Sequence, residues 1–100
     1  MKRELTVQEK WWVEEALNQE PELNELEKSA YKLQLKDLKV IEECDCGDPL
    51  CGSVKFSNYV QGHSVAIADG VIQKDSSEEF LVILFIDKRS DRLSELEIVK

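Results

Sequence analysis

The spacing of apolar positions changes once along the chain. Between Thr6 and Leu33 they recur every three or four residues, the helical period; between Leu38 and Val99 they alternate, the strand period. Thr6-Val7-Gln8-Glu9 has the form of a capping box, in which the Thr6 hydroxyl accepts from the Glu9 amide and the Glu9 carboxylate reaches back to the Thr6 amide. Behind it Trp12, Val13, Ala16 and Leu17 form a stripe, with Glu14, Glu15 and Asn18 opposite. Trp11 falls at the margin of that stripe, either as a half-buried lid on the core or, if exposed, as an interface anchor.

A second helix is expected to open at Pro21, with Glu20, Glu22 and Glu25 near the positive end of its dipole. Leu23, Leu26, Ala30 and Leu33 would be its buried stripe. Tyr31, Leu33 and Leu35 alternate, so the pattern does not define where this helix stops.

The alternating half divides at polar clusters. Leu38–Cys44 reads as a strand, and Ser53–Ser57 as another with Val54 and Phe56 inward. Asn58–Gly62 turns the chain into a strand over His63–Gln73, with Val65 and Ile67 on one side and a bend or bulge at Gly70. Lys74–Glu78 is a polar turn. Phe80–Ile86 is apolar on both parities, which predicts a central strand covered on both faces, or nearly so. After Lys88–Asp91 the last strand, Arg92–Val99, places Leu96 and Ile98 inward. The fold class is α+β: one domain over residues 1–100, an N-terminal helical hairpin packed on one face of an antiparallel sheet of about five strands. The last strand would form an exposed edge, a template for pairing into a homodimer.

Charge narrows the partners. The net charge is −8, from 21 acidic and 13 basic residues, and the first half is the more acidic. With no basic stripe to neutralise phosphates, nucleic acid is excluded, and an anionic membrane surface is disfavoured likewise. A basic protein is the electrostatically natural partner. No apolar run reaches the ~18–20 residues that span a bilayer. Met1-Lys2-Arg3-Glu4 leads into no signal-type apolar segment, so the expected compartment is the cytoplasm.

All 3 cysteines lie at the junction of the two halves, in Cys44-Asp45-Cys46-Gly47-Asp48-Pro49-Leu50-Cys51-Gly52-Ser53. One reading is a zinc clip in which Cys44, Cys46 and Cys51 supply thiolates and His63 the fourth ligand. The other is a tight loop shaped by Gly47, Pro49 and Gly52, its thiols filling small volumes. A Cys/His nucleophile is disfavoured, because Glu42, Glu43, Asp45 and Asp48 would raise the pKa of any nearby thiol. Adjacent glutamates such as Glu14/Glu15 and Glu42/Glu43 point apart on a helix or strand and make no acid/base pair. With no phosphate-binding loop or nucleophile elbow either, no catalytic residue is assigned.

Two signatures remain: Cys44-x-Cys46-Gly47-Asp48-Pro49-x-Cys51-Gly52-Ser53-Val54-x-Phe56, and Arg92-Leu93-Ser94-Glu95-Leu96-Glu97-Ile98. Together they resemble a group of small bacterial proteins that join an N-terminal helical segment to a cysteine/glycine knuckle and end in an R/K-L-S-E-L-E strand. The resemblance implies a bacterial, cytoplasmic protein with helices before sheet, and it brings no activity and no catalytic residues with it. Members of the group often have a shorter C-x-C-G-C spacing; here Asp48-Pro49-Leu50 intervenes, so no shared metal geometry is implied.

The expected function is therefore a non-enzymatic, acidic protein-interaction domain, in its most concrete form an immunity-type protein that neutralises a basic bacterial toxin. Glu14, Glu15, Glu42, Glu43, Asp45 and Asp48 are its expected contacts. The alternative is a small zinc protein built on the knuckle.

Overall fold

Thr6 starts the first helix in the computed structural model, which describes residues 2–43, 52–74 and 78–99. Helix α1 spans Val7–Gln19. The Glu9 amide donates to Thr6 Oγ1 at 3.0 Å and the Thr6 amide to Glu9 Oε1 at 2.9 Å, which is the capping box its sequence predicts. Trp12, Val13, Ala16 and Leu17 are buried, also as predicted. Trp11 is 45% exposed, a ring half in solvent at the margin of the stripe.

Helix α2 spans Glu25–Leu33 and runs into a single 3-10 turn at Gln34–Lys36. Pro21 does not open it. Asn24 does, through a second capping box with Glu27 at 2.8 and 3.1 Å. The expected stripe is corrected too: Leu26 and Leu33 are 79% and 63% exposed, Ala30 is exposed, and Tyr31 and Leu35 are buried instead. Tyr31 offers the larger apolar ring, and its phenol is satisfied by donating to Asp91 Oδ1 at 2.8 Å. Gln34 adds two bonds across the same turn: its side-chain amide donates to the Asp91 carbonyl, and its Oε1 accepts from the Leu93 amide at 2.8 Å. These contacts set the rotation of α2.

The strands are β1 (Arg3–Glu4), β2 (Lys39–Glu43), β3 (Val54–Phe56), β4 (Ser64–Lys74), β5 (Glu78–Asp87) and β6 (Arg92–Val99). They form one antiparallel sheet in the order β1-β2-β3-β6-β5-β4. The strand beyond the expected five is β1, whose 2 residues are too few to carry a period. β6 pairs with β3 on one side and β5 on the other, so among the described residues it is an inner strand and not the exposed edge expected of it. β5 lies one place in from the edge. Val82, Leu84 and Ile86 on it are buried and Leu81, Ile83 and Phe85 are partly buried, so the strand is covered fully on the helix side and in part on the other, near the burial on both faces that its sequence predicts.

Both helices lie on the same face of the sheet. Their apolar side chains meet Val40, Val54, Phe56, Ala68, Ile72, Val82, Leu84, Leu96 and Ile98 in one continuous core. Gly70 is not a bulge, since it pairs in register with Val82; the irregularity falls at Ile67, between Ala66 and Ala68. Gly70 lies where α1 crosses: a Cβ there would come within 3.3 Å of the Ala16 Cα. The same crossing brings Gln19 to the outer edge of β4. The Val71 amide donates to Gln19 Oε1 at 2.9 Å and Gln19 Nε2 donates to the Val71 carbonyl at 3.1 Å, so one side chain occupies the bonds a neighbouring strand would take. Among the described residues no helix is long and apolar enough to cross a membrane.

Candidate functional site

Strand alternation sends every second residue of the sheet away from the helices, and cross-strand register sets these residues in rows. One row is Val71, Leu81 and Val99; the next is Asp69, Ile83 and Glu97; a third is Ala66, Phe85, Glu95, Lys55 and Glu42. Taken along the strands, Leu81, Ile83 and Phe85 make an apolar column on β5. Glu95 and Glu97 on β6 make an acidic column beside it, and Asp69 on β4 lies across it. Val71 is 52% exposed and Val99 37%.

Toward β2 lies a groove of about 450 Å3 lined by Glu42, Lys55, Glu95 and Glu97 of the outward parity together with Glu43, Ser53, Val54 and Leu96. Lys55 is held there. Its Nζ lies 2.9 Å from Glu42 Oε2 and 4.7 Å from the centre of the Tyr59 ring, and its pKa is raised chiefly by the Glu42 hydrogen bond. Partial burial pushes the Glu95 carboxyl up and Glu97 adds to this, against the Ser64 hydroxyl and Lys55, which stabilise its charged form. The face as a whole offers apolar area bordered by carboxylates and carries no nucleophile–base pair.

The acidic residues expected to act together are dispersed. Glu14 and Glu15 are on α1, in the helix layer, and Glu15 accepts from Gln19 at 3.4 Å. Glu42 is on the open face. Glu43 follows a register shift in β2, pairs with Val54 and belongs to the helix side, where Arg3 bonds it at 2.8 and 3.0 Å. The same guanidinium makes a two-pronged pair with Glu9 at 2.8 and 2.9 Å. Burial would raise the Glu9 carboxyl, but the Arg3 fork and the Thr6 amide hold it below its ordinary value. This clamp ties the N-terminus, α1 and β2 together. Asp45 and Asp48 lie outside the described residues, as do Cys44, Cys46 and Cys51, and with them both readings of the knuckle.

His63 is described, and it sits at the other end of the sheet from the flanks of the knuckle. Gly52 lies against Ile98, whereas His63 is level with Lys88, about 20 Å away along the strand direction at ~3.3 Å per residue. Its Nδ1 is 3.4 Å from Asp87 Oδ1. The structure thus does not bring His63 beside the knuckle's flanks as a fourth ligand. Among the described residues no group of three His, Cys, Asp or Glu side chains is placed to hold a metal.

Glu95, Glu97 and Asp69 are the members of this face that sequence reasoning missed. Their outward direction is readable from the alternation with Leu96, Ile98 and Ala68; their assembly beside Leu81, Ile83 and Phe85 is a product of strand order. No protein-family model matches the chain, and no curated protein or solved structure is significantly similar to it.

Proposed function

We propose that the chain is a non-enzymatic, acidic protein-interaction domain that binds a basic protein through the open face of its sheet. The most concrete form of this reading is an immunity-type protein that masks a basic bacterial toxin. The observation that carries it is the β5 column of partly buried Leu81, Ile83 and Phe85, continued by the exposed Val71 and Val99 and with carboxylates on both flanks. Desolvated apolar residues supply most of the affinity of an interface, and complementary charge supplies encounter rate and partner choice. The net charge of −8 adds long-range attraction for a basic partner. Of the residues expected from the sequence, this reading uses Glu42 on the open face and leaves Glu14 and Glu15 on the far side.

The test compares affinity capture from a bacterial lysate by the wild-type chain and by a Glu95→Lys/Glu97→Lys variant, read by mass spectrometry. A basic protein retained by the first, lost by the second and released at raised salt supports the reading. Its strongest form is rescue of growth when the chain is co-expressed with that protein as a toxin. Retention that ignores the double charge reversal, or no differential retention at all, overturns it.

A further inference from the structure

We infer that the element bound on the open face is a basic amphipathic helix lying along β5, with its apolar stripe on Leu81, Ile83 and Phe85 and its lysines or arginines directed to Glu95 and Glu97 on one side and Asp69 on the other. This rests on the interaction reading above and names the element that fits it.

Geometry supports a helix. Alternate residues on a strand stand about 6.7 Å apart, so the three anchors span about 13 Å. On a helix, positions four apart rise about 6 Å, so residues at i, i+4 and i+8 or so meet the column nearly in step. A helix also arrives with its backbone bonds already made. An extended segment laid on a sheet face would leave its amides and carbonyls without partners, and it belongs at an edge. The edges of this sheet are poor receivers: β1 has 2 residues, and β4 is interrupted at Ile67 and capped at Val71 by Gln19. Among the described residues both helices cover the same face of the sheet, and a helix on the other would complete a third layer.

Charge selects a basic helix over a second copy of this chain. Two such faces brought together would oppose Glu95, Glu97 and Asp69 to their own kind, between molecules that each carry −8. Lysines or arginines flanking an apolar stripe meet those same carboxylates with opposite charge.

The probe is a blocked leucine/lysine peptide of about 18 residues patterned as an amphipathic helix, set against a peptide of the same composition in strict alternation, a strand pattern. Binding to the full chain is measured by fluorescence anisotropy, and peptide helicity by circular dichroism. The helical peptide is expected to bind about tenfold or more tightly than the alternating one and to gain helix on binding. Ile83→Asp and Glu95→Gln/Glu97→Gln should each weaken it about tenfold, while Glu14→Gln/Glu15→Gln leaves it unchanged. Should Ile83→Asp fail to fold, Ile83→Thr and amide NMR shifts confined to β5 and β6 take its place. Equal binding of the two peptides, or binding insensitive to the open-face variants, overturns the inference. So does a dimer of the chain alone that Glu95→Gln/Glu97→Gln tightens. If a basic protein is still captured through Glu95 and Glu97 while the helical peptide shows no preference, only the helix is lost; if neither binds there, the interaction reading falls with it.

Discussion

The two faces of this sheet are made by the same strands, yet one is a core and the other a surface. On β5, Val82 and Leu84 are fully buried, while their neighbours Leu81, Ile83 and Phe85 are only partly buried and no more polar. On β6 the contrast is chemical as well, since Leu96 and Ile98 face the helices and Glu95 and Glu97 face out. On β5, then, side-chain hydrophobicity does not by itself decide which face becomes the core. What decides it is where α1 and α2 are fastened, and those fastenings are polar: the Arg3–Glu9–Glu43 clamp, Gln19 on Val71, and Tyr31 with Gln34 on the turn before β6. The apolar column on the other side is covered by neither helix.

The sharpest test compares two adjacent residues of β5. Leu84→Ala should destabilise the fold by about 2–5 kcal/mol, through lost transfer energy and an unfilled cavity. Ile83→Ala, at a partly buried site on the side away from the helices, should cost less, about 1–2 kcal/mol, and urea unfolding of both variants checks the difference. Similar losses would mean that the open face is covered in solution.

Next is the clamp. Glu9→Gln removes the charge that Arg3 grips and should cost about 1.5–3 kcal/mol, the range for hydrogen bonds to a charged group. Because the Glu9 carboxyl is held below its ordinary value in the fold, its contribution is complete above the unfolded-state pKa. It is lost as pH falls through the lowered folded value. Thermal melts of wild type should therefore drop on acidification, and those of Glu9→Gln should drop less.

Gly52→Ala tests the packing at the end of the covered face. A Cβ there would lie 2.5 Å from the Trp12 ring, and Trp12 is itself held edge-on to Phe80 at 5.8 Å. Overpacking of about 1–3 kcal/mol is expected, with a changed near-ultraviolet dichroism from the displaced indole.

The smallest effect belongs to α2. Tyr31→Phe deletes one bond to Asp91 and should cost about 1 kcal/mol by urea unfolding. Burial and the Asp91 carboxylate push the Tyr31 phenol up to about 12. The contribution is therefore whole below pH ~10 and fades as pH rises toward the folded value, so the gap between wild type and Tyr31→Phe should close in alkali.

Local signals were the legible ones. The Thr6/Glu9 box and the Trp12-to-Leu17 stripe need only residues within two helical turns of each other, and both stand as read. The second capping box was equally written, as Asn24 and Glu27, but Pro21 offered a competing start three residues earlier. The stripe of α2 went wrong because Leu26, Ala30 and Leu33 match the helical period as well as Tyr31 and Leu35 do; bonds to Asp91 and Leu93, some 60 residues away, break the tie. Of the expected acidic contacts, Glu42 and Glu43 are consecutive, so strand alternation sends one to each face, and the register shift after Val40 makes Glu42 the outward one.

The sequence by itself determined the helix-then-sheet order, the cap of α1 and the inward residues of β3 and β6, because these depend on backbone geometry within a few residues. The order of the strands, the placing of β6 between β3 and β5, and the choice of which parity of β5 would be roofed were settled only in the tertiary structure. Ladder hydrogen bonds join backbone to backbone and leave no mark in the side chains. A strand apolar on both parities accepts a cover on either face, until distant contacts commit it to one.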